Sequence, residues 1–301
     1  MPKILKVQKA AKLTEKFLAG KPTKPVLVVL GPTASGKTDF AIKLAQKLRG
    51  EIVNCDSRQI YRELDIGSAR PTDQEMKLVP HHLVGIFSPR KVVSVAAYRK
   101  LAEKKIREIL NRKKLPILAG GHTLLLSAII ENFRFPGKAD LARRAALEKI
   151  WLKNPQKLWE KLRKSDPNAA AKIPPENRHH LIRALERAEN AEKPTHGKRK
   201  FDFLIFGIAT DREKLYARID RRVGGMLRAG LLSEVESLAK KFDRYSPALR
   251  GHGYREILDF LHGEKTWETA IEEIKRDTRN YAKRQTTWLR NCSFANEIIW
   301  I

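Results

Sequence analysis

The chain has 301 residues and a mass of 34.4 kDa, about twice the usual size of one domain. Hydrophobic residues make up 42% of the sequence, and only 17 Gly and 15 Pro are present. This composition supports a buried core and excludes collagen-like and intrinsically disordered proteins. Lys and Arg number 61 against 34 Asp and Glu, a formal charge of +27. That excess favours a polyanionic partner such as nucleic acid.

The N-terminal residues and the cysteines indicate the cellular compartment. Residues 1–24 form a basic extension without the apolar segment of a secretory signal, and we expect a solvated helix or arm there. Cys55 and Cys292 are too few for a disulfide framework or a zinc quartet, which is typical of a reducing compartment. No apolar run reaches the ~18 residues that a membrane span needs. We therefore expect a soluble, cytoplasmic protein with no membrane partner.

Short apolar runs alternate with amphipathic segments in the first half of the chain. The run at 26–30 leads directly into a Gly-rich loop and then a helical pattern at 39–48. Further strand-like runs lie at 51–55, 115–119 and 201–209. Buried runs of this length, separated by helices, predict an α/β fold of the P-loop NTPase-like type. Its parallel sheet is covered by helices, and ligands bind beyond the carboxyl ends of its strands.

Residues 134–200 have a different character. They contain Ala, Lys, Glu, Leu and Trp at helical spacing, no strand-like run, and prolines at 155, 167, 174 and 175. We predict a helical insert domain between the two parts of a P-loop catalytic core, at 25–133 and 201–301. In the second part of that core, helices are predicted at 212–229, 232–242, 254–262 and 266–290.

The Gly-rich loop reads GPTASGKT and fits the pattern G-x-x-x-x-G-K-[ST]. In such loops the backbone N–H groups and the start of the following helix surround a di- or triphosphate. Lys37 supplies a positive charge to the phosphate oxygens, and Thr38 offers a hydroxyl to Mg²⁺. The predicted diphosphate-binding residues of the loop are Gly31, Thr33, Ala34, Ser35, Gly36, Lys37 and Thr38.

Asp56 directly follows the strand at 51–55, whereas the next strand ends in Gly120 and Gly121. Asp56 therefore either holds the metal indirectly or acts as a base toward an acceptor, and a helix N-cap is the structural alternative. The loop and this carboxylate also fit a P-loop small-molecule kinase with Arg218 and Arg222 in its lid. A non-catalytic RNA-binding protein with a relic phosphate loop is the third possibility.

Eight short motifs occur in one order along the chain, and together they are specific. They are GPTASGKT at 31–38, DSRQIY at 56–61, LDIGSARP at 64–71, PHHL at 80–83, IRALE at 182–186, the segment 218–231, GYRE at 253–256 and AKRQTTWLR at 282–290. In these motifs the chain resembles the tRNA dimethylallyltransferases (tRNA isopentenyltransferases), over roughly residues 26–290.

The resemblance implies transfer of a dimethylallyl group from dimethylallyl diphosphate to an adenosine of tRNA. The acceptor is the N6 amine of the adenosine 3′-adjacent to the anticodon, and diphosphate is released. The resemblance further implies that the insert contacts the anticodon stem-loop. We expect the protein to be a monomer. Its catalytic residues would be Asp56, Thr38 and Lys37, with Mg²⁺ on Thr38, Arg218 and Arg222 on the diphosphate, and Ser57, Arg58, Gln59 and Tyr61 near the flipped adenosine.

The predicted C-terminal helix carries a cationic stripe. Four of its cations fall within about 60° of one another on a helical wheel, which favours contact with tRNA phosphates. A solvated face is the alternative. The residues assigned to tRNA on this helix are Arg276, Arg279, Lys283, Arg284, Gln285 and Arg290.

The chain departs from the family pattern in two places. It reads Gly-Gly-His-Thr-Leu-Leu at 120–125, where the family usually has Gly-Gly-Thr-Gly-Leu-Tyr. His122 and Leu125 therefore change the surroundings of the prenyl group or the adenine. His180 stands where Arg is common. The pairs at 81–82 and 179–180 lack the carboxylates or cysteines of a zinc site, so no zinc is expected.

Overall fold

The computed structural model describes residues 3–134, 141–189 and 195–301. The chain divides into two compact units, which we call the core unit and the insert unit. The core unit comprises Met1–Asn132 and Arg199–Ile301, and the insert unit comprises Phe133–Lys198. Residues 135–140 and 190–194 of the predicted insert lie outside the described residues.

A six-stranded sheet forms the centre of the core unit. Its strands run in the order β3-β2-β4-β1-β7-β8, and every pairing in it is parallel. The predicted α/β class with a helix-covered parallel sheet is confirmed. The strands are β1 (Pro25–Leu30), β2 (Glu51–Cys55), β3 (His81–His82), β4 (Pro116–Gly120), β7 (Asp202–Gly207) and β8 (Ile298–Trp300).

Both faces of the sheet are buried because helices cover them. Val26, Val28 and Leu30 of β1 pack into one hydrophobic cluster, whereas Leu27 and Val29 pack into another. This alternation follows from the two-residue period of a strand. The core-unit helices are α1 (Lys3–Ala19), α2 (Lys37–Leu48), α3 (Asp73–Leu78), α4 (Val95–Asn111), α5 (Thr123–Ile130), α10 (Arg212–Arg228), α11 (Leu231–Lys241), α12 (Tyr254–Leu261) and α13 (Trp267–Asn291).

The register of the sheet aligns the strand ends that precede the functional loops. Leu30 at the end of β1 pairs with Gly120 of β4 and with Gly207 of β7. Gly120 also pairs with Cys55, the last residue of β2. Four carboxyl ends therefore stop at one level, and the phosphate loop, Asp56 and Gly121 emerge at the same edge.

Helix α1 corrects the expectation of a solvated N-terminal arm. Val7, Ala10, Ala11 and Thr14 are buried, and α1 packs against α2 as part of the cluster on one sheet face. These four residues recur at helical spacing, so they form one narrow stripe of small side chains. The lysines around them made the segment look entirely polar, whereas only the remaining faces of the helix are solvated.

The insert unit has its own hydrophobic core. A short antiparallel pair, β5 (Phe133–Arg134) and β6 (Thr195–His196), joins its two ends. Side chains of Asn154 and Asp166 cap two helices, each of which has proline in its first turn. Its helices are α6 (Leu141–Lys153), α7 (Pro155–Ser165), α8 (Pro167–Ala170) and α9 (Arg178–Glu189). The core residues are Leu147, Leu158, Leu162, Ala170, Leu181, Ile182, Ala184 and Leu185.

Within the described ranges, no helix is both long enough and apolar enough to cross a membrane.

Candidate active site

The phosphate loop links β1 to α2, and its backbone has the conformation that glycine permits. Gly36 has a φ of 91° and lies at the N-cap of α2, which begins at Lys37. A Cβ atom on Gly31 would lie 2.8 Å from the Ser35 Oγ atom, so any larger residue there would displace the Ser35 side chain. The loop therefore ends at the start of a helix, where the positive end of the helix dipole favours an anion.

Lys37 and Ser35 make the loop a receptor for negative charge. The Lys37 Nζ atom donates to the Pro32 carbonyl oxygen at 3.3 Å. Burial lowers the pKa of Lys37 to about 8; the charge of Asp56 opposes this shift, and that of Arg222 adds to it. The Ser35 Oγ atom is buried and finds no hydrogen-bond partner in the described structure. Both groups are satisfied if phosphate oxygens enter the loop.

Asp56 emerges from β2 and faces the phosphate loop. Its Oδ1 atom accepts a hydrogen bond from the Arg58 N–H at 2.8 Å, and its Oδ2 atom accepts none from any described residue. Residues 57–60 form turns, so Asp56 begins an Asx turn and the N-cap alternative is wrong. Asp56, Lys37, Thr38 and Gly120 line one small pocket. A carboxylate oxygen and the phosphate loop thus share a single crevice.

Two arginines of α10 add positive charge beside the loop. The exposed Arg218 donates from Nη1 to the Ser35 carbonyl oxygen at 3.4 Å. Arg222 is half-buried one helical turn later. Burial lowers the pKa of Arg222, while the charge of Asp56 opposes that shift. The structure therefore brings both predicted arginines to the phosphate loop.

Three of the four residues predicted to read the adenosine hold backbone groups. Arg58 donates from Nη1 to the Pro247 carbonyl oxygen at 2.7 Å. Gln59 donates from Nε2 to the Ala69 carbonyl oxygen at 2.9 Å, and it lines the same pocket as Asp56. These bonds fix the wall of the crevice next to Asp56.

The third of these residues, Tyr61, does not lie where the resemblance implied. Its side chain is buried in the hydrophobic core, and its hydroxyl donates to the Lys91 carbonyl oxygen at 3.1 Å. The ring packs inward because burying its apolar surface in this hydrophobic cluster is favourable. The predicted contact between Tyr61 and an adenosine is therefore contradicted. Ser57, the fourth predicted residue, is half-buried.

Sequence reasoning missed Glu234, which holds the LDIGSARP segment. Its carboxylate accepts hydrogen bonds from three consecutive N–H groups, at residues 65–67, at 2.7–3.0 Å. It also accepts one from the Tyr254 hydroxyl at 2.8 Å. Glu234, remote in sequence, thereby fixes the loop whose Ala69 carbonyl oxygen accepts the hydrogen bond from Gln59.

The predicted contact between Gln285 and tRNA is also wrong, because Gln285 is only 3% exposed. The Oε1 atom accepts from the Thr33 N–H at 2.9 Å, and Nε2 donates to the Gly121 carbonyl oxygen at 2.7 Å. Burial between these two loops contradicts the predicted tRNA contact. The polar residue type indicated a surface position, and only the tertiary structure shows its two internal partners.

The cationic stripe of α13 divides into two parts. Arg276 lies 3.1 Å from the nearest oxygen of Asp277, and Arg279 lies 2.6 Å from Asp220. Toward the end of the helix the cations make no ion pair with any described residue. These exposed cations, which we call the free end of α13, are Lys283, Arg284 and Arg290.

Tyr281 of α13 lies near the Asp56 carboxylate, although its sequence pattern indicated only a core position. Burial, together with the nearby charge of Asp56, raises the pKa of Tyr281 to about 12. The Arg284 guanidinium carbon lies 5.9 Å from the Tyr281 ring centre. The ring therefore lies within electrostatic range of Asp56 and in contact with the free end of α13.

His122, where the chain departs from the family pattern, follows the glycine pair whose first member, Gly120, lines the pocket. Its Nδ1 atom accepts from the Leu125 N–H at 3.3 Å and caps the N-terminus of α5. Burial lowers the pKa of His122, and the nearby charge of Asp56 opposes the shift. Leu125 is buried in the core. His180, the other departure, is exposed in the insert unit.

Oxygen ligands for a metal ion are available at the pocket. The Thr38 hydroxyl and the Asp56 carboxylate both line it, and Mg²⁺ prefers such hard oxygen donors. A separate group of His252, Glu256 and Asp277 also lies close together. There the Arg255 guanidinium already bridges the two carboxylates, at 2.6 Å and 2.9 Å.

Comparison with known proteins agrees with this geometry. The family model described as IPP transferase matches residues 59–292. A tRNA dimethylallyltransferase from Acetivibrio thermocellus is 43% identical over 287 residues, which cover 92% of this chain and 91% of the relative. Most of the chain therefore aligns with that enzyme.

Solved structures give the same result. The full-length tRNA isopentenylpyrophosphate transferase of Bacillus halodurans superposes with a TM-score of 0.70 at 39% identity, covering 93% of this chain and 90% of that one. A eukaryotic dimethylallyltransferase described as acting on tRNA gives a TM-score of 0.75 at 27% identity, covering 93% and 74%. With its phosphate loop, Asp56 and the two arginines in one crevice, this chain belongs to the IPP transferase family.

Proposed function

We propose that this protein transfers a dimethylallyl group from dimethylallyl diphosphate to tRNA and releases diphosphate. The acceptor is the N6 amine of the adenosine 3′-adjacent to the anticodon. The observation that carries this proposal is the single pocket shared by the phosphate loop and Asp56. Relatives that align over most of the chain are named tRNA dimethylallyltransferase.

The donor side of the site stabilises a leaving diphosphate. As the bond between the allylic carbon and oxygen breaks, the electron pair and its negative charge move to the diphosphate. Lys37, Arg218 and Arg222 surround the loop that would hold that charge. Positive groups fixed in advance are most effective where charge develops during reaction.

The acceptor side supplies a base. The N6 amine of adenine is a weak nucleophile, and it loses a proton as its nitrogen bonds to the allylic carbon. The Asp56 Oδ2 atom, which accepts no hydrogen bond within the described structure, would take this proton. Since a stacked base cannot reach the pocket, the adenosine must be flipped out of its stack.

We further propose that Mg²⁺ assists at Thr38. The Thr38 hydroxyl lies at the start of α2 and lines the pocket together with Asp56, so the donor set fits a hard cation. When bound, Mg²⁺ would neutralise charge on the departing diphosphate. The protein's part is to offer the Thr38 oxygen and to keep the loop in place.

We propose that the insert unit contacts the anticodon stem-loop and that the free end of α13 contacts tRNA phosphates. The insert sequence carries about twice as many basic as acidic residues, and tRNA affinity depends largely on phosphate contacts. We also propose that the protein acts as a cytoplasmic monomer. Its two free cysteines, Cys55 and Cys292, fit a reducing compartment, and light scattering with and without tRNA tests the monomer.

The direct test is incubation with labelled dimethylallyl diphosphate and unmodified tRNA. Label should appear on the adenosine next to the anticodon, and diphosphate should be released in equal amount. ATP should be a poor ligand and no substrate. Transfer of phosphate from ATP to a small molecule, without labelling of tRNA, would instead support the kinase alternative.

A further inference from the structure

Gln285 connects the two loops on which the proposed transfer depends. It is 3% exposed and lies in α13, with one side-chain atom on the Thr33 N–H and the other on the Gly121 carbonyl oxygen. We infer that Gln285 is a positioning residue that fixes the phosphate loop relative to the turn at Gly121, on the Asp56 side of the crevice. This inference rests on the proposed function and adds a residue to it.

The contacts around Gln285 leave little freedom for either loop. A Cβ atom on Gly121 would lie 2.5 Å from the Gln285 Nε2 atom and 2.8 Å from the Gly31 carbonyl oxygen. Real Cβ atoms do not approach so closely. The phosphate loop, the turn after β4 and the Gln285 side chain therefore lie closer together than a residue larger than glycine at position 121 would allow.

The turn after β4 is in turn attached to the strand that carries Asp56. The His122 N–H donates to the Cys55 carbonyl oxygen at 3.4 Å, and Cys55 directly precedes Asp56. A Cβ atom on Gly120 would lie only 2.0 Å from that same carbonyl oxygen. Any displacement of Gly121 is thus transmitted to the backbone beside the acceptor base.

Group transfer is sensitive to such displacements. The reacting atoms must approach to about 3–3.5 Å, and a misplacement of about 1 Å can cost roughly a hundredfold in rate. Gln285 accepts a hydrogen bond from the Thr33 N–H of the phosphate loop through Oε1 and anchors the opposite loop through Nε2. Its loss should weaken diphosphate binding and slow transfer, but tRNA affinity should remain, because the buried side chain offers nothing to RNA.

The first test replaces Gln285 with methionine, which has a similar length and no comparable donor or acceptor. In the Gln285→Met variant, calorimetric titration with inorganic diphosphate should show a Kd about tenfold weaker, in keeping with the loss of a buried hydrogen bond. The kcat should also fall, while the tRNA Kd stays within about twofold. Thr286→Val is the matched control, because it removes only the hydrogen bond to the Ala282 carbonyl oxygen of the same helix.

A second variant keeps the inference testable if Gln285→Met does not fold. A protonated glutamic acid reproduces both bonds of Gln285, whereas the ionised form loses its donor to Gly121 and repels the diphosphate. Relative to wild type, Gln285→Glu should therefore bind diphosphate nearly normally at pH 5 and progressively more weakly toward pH 8. Gln285→Met has no titratable group at this position, so the ratio of its diphosphate Kd to that of wild type should stay above one and constant between pH 5 and pH 8.

Three outcomes would overturn the inference. They are an unchanged diphosphate Kd in folded Gln285→Met, a pH-independent ratio for Gln285→Glu, and a loss of tRNA affinity alone. Diphosphate titration requires no turnover, so it separates this inference from the proposed function. If wild type binds diphosphate but transfers no prenyl group, the proposed function fails while the positioning role can still be measured.

Discussion

The two oxygens of the Asp56 carboxylate have different partners, and this difference can be used experimentally. Oδ1 holds the turn through the Arg58 N–H, whereas Oδ2 is open to the crevice. In the Asp56→Asn variant, the amide oxygen can still hold that turn, but the group no longer accepts a proton. We expect the single-turnover rate to fall by about 10²–10⁴-fold, with tRNA and diphosphate affinities nearly unchanged.

Asp56→Ala serves as the companion variant, since it removes the turn as well as the base. It should lose thermal stability in addition to activity, whereas Asp56→Asn should lose activity alone. Equal losses of tRNA affinity and rate in Asp56→Asn would show that this carboxylate organises the binding surface and is not the base.

Lys37 should make diphosphate binding depend on pH. Burial lowers the pKa of Lys37 to about 8, so the free site carries this charge below pH 8 and loses it above. Because bound diphosphate favours the charged form, affinity should weaken as the pH rises from 7 to 9.5. Titration calorimetry with inorganic diphosphate and a metal chelator measures this effect.

Lys37→Arg is the control, since a guanidinium keeps its charge over this range. Any weakening that remains in Lys37→Arg belongs to other groups. The same weakening in both proteins would contradict the role given to the Lys37 ammonium.

Among the elements, α13 combines an ion-paired part with the free end defined above. Arg279 is held by Asp220, whereas Lys283 and Arg290 have no ion pair among the described residues. We expect the double variant Lys283→Met/Arg290→Met to flatten the plot of log tRNA affinity against log salt by up to about one unit per charge. Filter binding at several salt concentrations provides the slopes.

The matched variant is Arg279→Met/Asp220→Asn, which removes an ion pair without changing the net charge. Its salt slope should equal that of wild type. If both variants flatten the slope equally, or neither does, the division of the stripe is wrong. In the last case the phosphate contacts lie elsewhere, with the insert unit as the first candidate.

Local patterns predicted most elements, because each follows from neighbouring residues. The strand, loop and helix around Lys37 and the four C-terminal helices agree with the structure to within about two residues at their ends. The burial of α1, Tyr61 and Gln285 could not be derived in this way. Each depends on a partner remote in sequence, and hydrophobic periodicity contains no information about which segments become neighbours.

Across the whole molecule, the insert unit has a core separate from that of the sheet. Because Phe133 pairs with His196, the two ends of this unit lie about one strand spacing apart, roughly 4.8 Å. Residues 133–198 can therefore be replaced by a short Gly-Ser linker. We expect the remaining core unit to fold and bind diphosphate normally, but to bind tRNA at least about tenfold more weakly.

Calorimetry with diphosphate, circular dichroism and tRNA binding test this deletion. A folded variant with unchanged tRNA affinity would show that the insert unit contributes no contact. Loss of diphosphate binding in a folded variant would mean that the core unit needs the insert for its own site.

The pairing of β5 with β6 also affects how the chain finds its fold. Strand β1 must pair with β7, which lies far along the sequence, and closing so long a loop costs conformational entropy. The insert unit has mainly local contacts and should form first. Its paired ends then shorten the effective loop between β4 and β7.

The tryptophans of the chain are divided between the two units. Trp151 and Trp159 lie in the insert unit, whereas Trp267, Trp288 and Trp300 lie in the core unit. Refolding followed by the fluorescence of each tryptophan set should therefore show the insert set reaching its final signal earlier.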